Sequence, residues 1–187
     1  MCGAPAANPV MGWRLFLSRL PCMRRLRMDD IHPVMETKMI SVDVYIHIYR
    51  PLQQVFTFVA TPENDFQWQY ETLASTQVSK GEIGVGTLFH TVGHFMGRRI
   101  ETVYEVTDFD PHKRYGFKSH SGPVDSHTLY TFEITNGGTK ISLSTKTTPR
   151  DLFTMNPSMV EKKSKKQHKE NLAILKNILE AHRIVSP

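Results

Sequence analysis

Between Ile40 and Ile48 the chain reads Ile-Ser-Val-Asp-Val-Tyr-Ile-His-Ile, apolar residues at every second position with polar or half-polar residues between them. That period of two, rich in β-branched side chains, marks a half-buried strand. The pattern changes at Pro51, behind which Leu52, Val55, Phe56 and Val59 recur at helical spacing. Proline suits the first turn of a helix, so a short helix is expected over 51–59. Thr61-Pro62-Glu63-Asn64 repeats the arrangement of a hydroxyl ahead of proline and introduces Phe66-Gln67-Trp68-Gln69-Tyr70 as a second short helix.

From Leu73 to Thr148 the chain is a succession of short β-rich runs. They are separated by turn chemistry at Gly81 to Gly86, Gly97-Arg98, Asp110-Pro111-His112, Ser121-Gly122-Pro123 and Asn136-Gly137-Gly138. The last reads as a type I′ hairpin, whose positive φ angles asparagine and glycine tolerate. All of these connections are short, and short connections join antiparallel neighbours. Helical periodicity returns near Ser158, where Ser158 and Glu161 have capping-box spacing. Leu172, Leu175, Ile178 and Leu179 form the apolar stripe of this last helix, which extends to about residue 183, while six lysines occupy much of the rest. A sheet with one hydrophobic face must cover it, and this helix alone is long enough. The expected fold is α+β: a curved antiparallel seven-stranded sheet, two short helices at one end and a long C-terminal helix across it.

Several stretches carry a more specific likeness. They are Arg50-Pro51 through Val55-Phe56, Pro62-Glu63-Asn64 with Trp68, Gly84-Val85-Gly86-Thr87, Gly97 to Glu101, Tyr104-Glu105-Val106, Asp110-Pro111, Tyr130-Thr131-Phe132 and Gly137 to Lys140. In this wording and order the chain resembles the START-like superfamily of helix-grip proteins, in particular its polyketide cyclase/dehydrase or SRPBCC members, over about residues 40–183. The resemblance implies a helix-grip fold enclosing a cavity. It does not name a ligand, since the superfamily includes lipid and sterol carriers, hormone receptors, cyclases and co-chaperones. Residues 39–187 are therefore read as a START-like ligand-binding domain and residues 1–38 as a disordered N-terminal extension, with Met28, Met35 and Met39 as alternative starts.

Charge sharpens this picture by its location. The net charge of +5 divides into +3 over residues 1–38, +4 over residues 160–187, and −2 over the body between them. A nucleic-acid surface needs basic residues converging among aromatic or base-reading groups, so no nucleic-acid partner is expected. No run of residues is apolar enough for an integral membrane segment. Both cysteines, Cys2 and Cys22, precede the domain; a disulfide framework and a zinc site are not expected, and a cytoplasmic setting is. The lysine-rich helix reads as a solvated face.

The glycines of 81–86 precede a strand and lack the pattern of a phosphate-binding loop, and no cofactor is expected. His90 and His94 share a strand face about 13 Å apart, too far to hold one ion, so no metal is expected either. There is no nucleophile with an adjacent base, and no residue is assigned as catalytic. Strand parity brings Tyr104 and Val106, Tyr115, Phe117 and Ser119, Thr128, Tyr130 and Phe132, and Ile141, Leu143 and Thr145 onto the face toward the long helix. The candidate ligand-binding residues are Phe66, Trp68, His90, Tyr104, Phe117, Ser119, Thr128, Tyr130, Leu143 and His168, with His90, Tyr104, Tyr130 and His168 the groups fit for acid–base chemistry. Three functions accord with this set: binding of a small hydrophobic or amphipathic molecule, a cyclase/dehydratase-type enzyme, and an interaction module without a ligand.

Overall fold

The computed structural model describes residues 39–95, 97–122, 124–149 and 156–181; the extension expected over residues 1–38 lies outside the described residues. Strand β1 (Ile40–Ile48) buries Ile40, Val42, Val44 and Ile48 and turns Ser41, Asp43 and Tyr45 outward, as a period of two requires. Helix α1 (Leu52–Val59) follows, burying Val55, Phe56 and Val59, and a 3-10 turn (Pro62–Asn64) runs directly into the short helix α2 (Asp65–Trp68). Strands β2 (Thr72–Gln77), β3 (Leu88–Phe95), β4 (Arg98–Asp110), β5 (Arg114–Ser119), β6 (Val124–Thr135) and β7 (Gly138–Pro149) precede helix α3 (Pro157–Ala181).

The seven strands form one antiparallel sheet in the order β1-β7-β6-β5-β4-β3-β2. Register aligns side chains in rows across it. One row runs Val44, Leu143, Tyr130, Tyr115, Phe109 and the next Val42, Thr145, Thr128, Phe117, Val106. Beyond them Ile40 pairs with Thr147 and Thr147 with Ser126, so the inner face grades from aliphatic and aromatic toward hydroxyl-bearing. A bulge between Val106 and Asp108 changes the inward parity of β4 from Thr102, Tyr104 and Val106 to Phe109. Phe109 thereby meets Phe56 of α1 at 5.8 Å between ring centroids.

The gradient matches α3. Its later half buries Leu172 and Leu175 in the common core with Ile178 and Leu179 against it, while its first half offers Ser164, Gln167, His168 and Asn171 to the hydroxyl-bearing end of the sheet. Burial of the later stripe supplies the hydrophobic driving force. The C-terminus of α3 is held by Arg50, whose Nε and Nη2 donate to the carbonyls of Leu179 and Glu180 at 2.8 and 2.7 Å. Alongside, the Tyr49 backbone N–H donates to Glu180 Oε1 at 2.8 Å and Lys176 Nζ to the His47 carbonyl at 2.7 Å. Burial pushes the Glu180 carboxyl up, but the Tyr49 N–H and Lys176 outweigh it and hold the group below its usual range.

Three local expectations are corrected. The Ser158–Glu161 capping box is replaced by Asn156, whose Oδ1 accepts the Ser158 N–H at 2.9 Å and whose carbonyl accepts from Met159 and Val160. Thr61 does not cap the turn after it; its hydroxyl donates back to the Thr57 carbonyl at 2.7 Å. In the β6–β7 hairpin only Gly137 has positive φ, at 82°, which is the pattern of a type II turn and not of type I′.

Candidate functional site

Two adjoining chambers lie on the inner side of the sheet. The inner one, about 60 Å³, is walled by Pro62, Asp65 and Gln69 from the short helical segment, Phe89 and Thr91 from β3, Tyr104 from β4, and Tyr115 and Phe117 from β5. The outer one, about 190 Å³, lies beneath the first half of α3 and is bounded by Thr102, Tyr104, Phe117, Thr128, Tyr130, Thr145, Val160, His168 and Asn171 among others. Gln69, Thr72, Thr91, Tyr104 and Phe117 border both, so the two chambers are neighbours that share part of their wall.

The sequence places its floor. Because β4, β5 and β6 present alternate residues inward, Tyr104, Phe117 and Tyr130 fall on one face, with centroids 5.4 Å apart for Tyr104–Phe117 and 6.4 Å for Phe117–Tyr130. Tyr115 stacks on Tyr130 at 6.3 Å, and Trp68 meets the same ring edge-on at 6.3 Å. Offset and edge-to-face pairs of this kind form a firm wall. At the rim the α2–β2 turn crosses β3 at Gly93, where a Cβ would stand 2.6 Å from the Glu71 carbonyl oxygen. Only glycine permits that approach. Gln167 of α3 reaches the same turn, donating to Glu71 Oε2 at 2.6 Å.

Two polar atoms inside the outer chamber are buried without a hydrogen-bond partner among the described residues: Thr102 Oγ1 and Asn171 Oδ1. An unpaired buried acceptor or hydroxyl costs on the order of 1–3 kcal/mol, so both are poised to receive a partner from a bound molecule. Asp65 in the inner chamber has its pKa raised well above the usual carboxylate range, chiefly by burial, with Gln69 and Trp68 lowering it in part and Glu63 raising it further. The phenols of Tyr115 and Tyr130 are pushed up by burial first and by the negative charge of Asp65 second. Tyr104 is raised by burial too, partly opposed by the neighbouring Thr102 hydroxyl, although the two groups do not meet in hydrogen-bonding geometry. All three phenols are therefore neutral hydrogen-bond donors near neutral pH, not bases.

Of the ten residues expected from sequence, Tyr104, Phe117, Thr128, Tyr130 and His168 line this space. Trp68 and Leu143 are core residues behind it. Ser119 is buried but occupied, its hydroxyl donating to the Val124 carbonyl at 3.0 Å and accepting the Ser126 N–H at 2.9 Å. Two expectations are corrected. Phe66 is 56% exposed, because the single turn of α2 buries Trp68 and points Phe66 away. His90 lies on the opposite face of β3 from Phe89 and Thr91 and pairs with Glu101 at 3.2 Å. Asp65, Gln69, Tyr115, Thr102 and Asn171 also line this space; Tyr115 and Thr102 carried a signal, the parity shared with Phe117 and with Tyr104.

Burial lowers the pKa of His168, so the imidazole facing the chamber is neutral at neutral pH. The unfolded chain then binds a proton more readily than the folded one. Stability contributed by the neutral form is present above the unfolded histidine pKa of about 6.5 and is lost as pH falls through the lower folded value. Urea unfolding of the full chain is expected to show a decline in stability on acidification that is shallower in His168→Gln; identical pH profiles would place His168 in solvent.

Among the described residues no group of three His, Cys, Asp or Glu side chains is arranged to hold a metal ion, and no helix is long and apolar enough to cross a membrane. A curved antiparallel sheet, a long helix laid over its concave side and a cavity between them define a helix-grip protein of the START type. The chain belongs to the family described as polyketide cyclase / dehydrase and lipid transport, which it matches over residues 39–180.

Solved structures agree on the fold. A START superfamily protein from Mycobacterium smegmatis superposes with a TM-score of 0.67 at 11% identity, covering 76% of this chain and 98% of that one. A protein from Thermus thermophilus gives 0.66 at 19% identity over 76% and 99%. The structure of Ara h 8.0201 gives 0.57 at 16% identity over 76% and 99%. No curated protein matches the chain by sequence.

Proposed function

We propose that this protein binds a small amphipathic molecule in the two-chambered space between the sheet and α3. The observation that carries the reading is a cavity with aromatic walls in which Thr102 Oγ1 and Asn171 Oδ1 are buried without partners. Apolar walls with a few convergent polar groups suit a ligand that is held by burial and oriented by hydrogen bonds. Tyr104, Phe117 and Tyr130 are the apolar surface in this reading; Thr128, His168 and Asn171 are the orienting groups. Lipid transport, as the family description has it, is compatible with such a space.

A second reading, an acid–base enzyme of the cyclase/dehydratase type, draws support from Asp65 and the neighbouring phenols, which are acids in their protonated form. Native mass spectrometry of the full chain before and after organic extraction tests the binding function. A defined mass lost on extraction is expected. Its conversion on incubation with the extracted protein would favour the enzyme, and a chain that carries no small molecule and binds none from a hydrophobic extract would refute both.

A further inference from the structure

The inner chamber holds a carboxyl group, Asp65, among aromatic rings, whereas the carboxylate of the outer chamber, Glu71, is paired with Gln167. Asp65 projects into a space faced by Tyr104, Tyr115, Phe117 and Phe89, and no lysine or arginine lines either chamber among the described residues. A carboxyl group inside a folded protein is ordinarily matched by a cation or several donors. Around Asp65 the polar neighbours are Gln69 and Trp68 from its own segment, and the nearby charge is Glu63 from the 3-10 turn, which is also negative. Aromatic faces carry the negative side of their quadrupole and attract cations. An ionised Asp65, the nearby Glu63 and an aromatic lining without a basic side chain thus favour positive charge in a chamber of about 60 Å³.

We propose that the inner chamber is a cation subsite, in which Asp65 and the faces of Tyr104, Tyr115 and Phe117 hold the protonated amine of a ligand whose apolar body occupies the outer chamber. The proposal rests on the binding function given above and specifies the ligand's class: an amine-bearing amphiphile, with carboxylates and phosphates disfavoured. The two chambers share Gln69, Thr72, Thr91, Tyr104 and Phe117 in their walls, which places the amine and the apolar body of one molecule side by side in this reading.

Burial raises the pKa of Asp65; a bound ammonium would lower it and displace the proton to solvent. Binding of an amine should therefore strengthen as pH rises through the titration of Asp65. The titratable groups facing Asp65 are Glu63, Tyr104 of β4, Tyr115 of β5 and Tyr130 of β6, while Glu71, His94 of β3 and, from α3, His168 border the outer chamber. The phenols stay neutral over that range, which leaves the carboxyl as the group that changes charge in the inner chamber.

Three probes of one skeleton separate the possibilities: 4-phenylbutylamine, 4-phenylbutanol and 4-phenylbutanoate, titrated calorimetrically into the full chain and into Asp65→Asn. The amine is expected to bind at least about tenfold more tightly than the alcohol, with the carboxylate weakest. Asp65→Asn, checked for folding by circular dichroism, is expected to bring amine and alcohol within about threefold of each other and to flatten the pH dependence of amine binding. An alcohol that binds as well as the amine, or a preference that survives in Asp65→Asn, overturns the cation subsite while leaving the cavity function standing. Binding of none of the three overturns both.

Discussion

Arg50→Ala is expected to lower the unfolding free energy of the full chain by about 2–4 kcal/mol, among the largest effects of any single polar side chain in the domain. The guanidinium donates to two terminal carbonyls of α3, those of Leu179 and Glu180, and both bonds are partly buried. Those carbonyls lie in the last described turn of α3 and find no intrahelical partner among the described residues, at the negative end of the helix dipole. Removal therefore strands two acceptors and a favourable charge at once. Arg50→Lys should recover only part of the loss, since an ammonium cannot fork to two oxygens held by a planar guanidinium. Urea denaturation measures both. An unchanged midpoint in Arg50→Ala would mean that the Tyr49–Glu180 and His47–Lys176 contacts anchor the helix without it. Because α3 roofs the outer chamber, a loosened C-terminus should also weaken whatever the cavity binds.

Much of the architecture was legible because a one-sided sheet writes itself in alternation. Ile40 to Ile48 is a strand at the residues where the period of two begins and ends, and the turns at Asp110, Ser121 and Asn136 fall where glycine, proline and asparagine interrupt β-rich runs. Features decided by competition between near-equivalent donors and acceptors were not legible. Asn156 and Ser158 both offer a cap to α3, and because the helix starts at Pro157 the capping position falls to Asn156. The bulge at Thr107 has no glycine to announce it, yet it sets which residues of β4 face inward beyond Val106.

The site divides along the same line. Tyr104, Phe117, Thr128 and Tyr130 were found by parity, since apolar residues mark one phase of their strands clearly. On β3 the phase was ambiguous: Leu88 and Val92 are apolar on one parity and Phe89 on the other, and the inward face proves to be that of Phe89, Thr91 and Gly93. His90 is on the outer side for that reason. Asp65 left no local signal at all. An acid in the first turn of a short helix reads as solvated, and its partial burial comes from the 3-10 turn and α2 folding down onto β3 to β5, a tertiary placement. Asn171 is similar, one polar residue beside Leu172 on a lysine-rich helix, buried because α3 crosses the sheet there.

The same packing makes Tyr130 a test of how the cavity is built. Its ring is 4% exposed, stacked on Tyr115, tilted against Phe117, met edge-on by Trp68 and paired across the strands with Leu143. Tyr130→Ala is expected to destabilise the full chain by about 3–5 kcal/mol, as buried aromatic truncations do when the surroundings relax only in part. Tyr130→Phe, which keeps the ring, should remain within about 1 kcal/mol of the natural chain. The contrast separates wall from handle. If Phe also weakens ligand binding at unchanged stability, the phenol orients the ligand from the floor of the outer chamber. If alanine costs less than about 1 kcal/mol, the aromatic residues do not form a fixed wall, because residual cavities in rigid cores are penalised in proportion to their volume. A space able to collapse so readily would have no fixed shape with which to select a ligand.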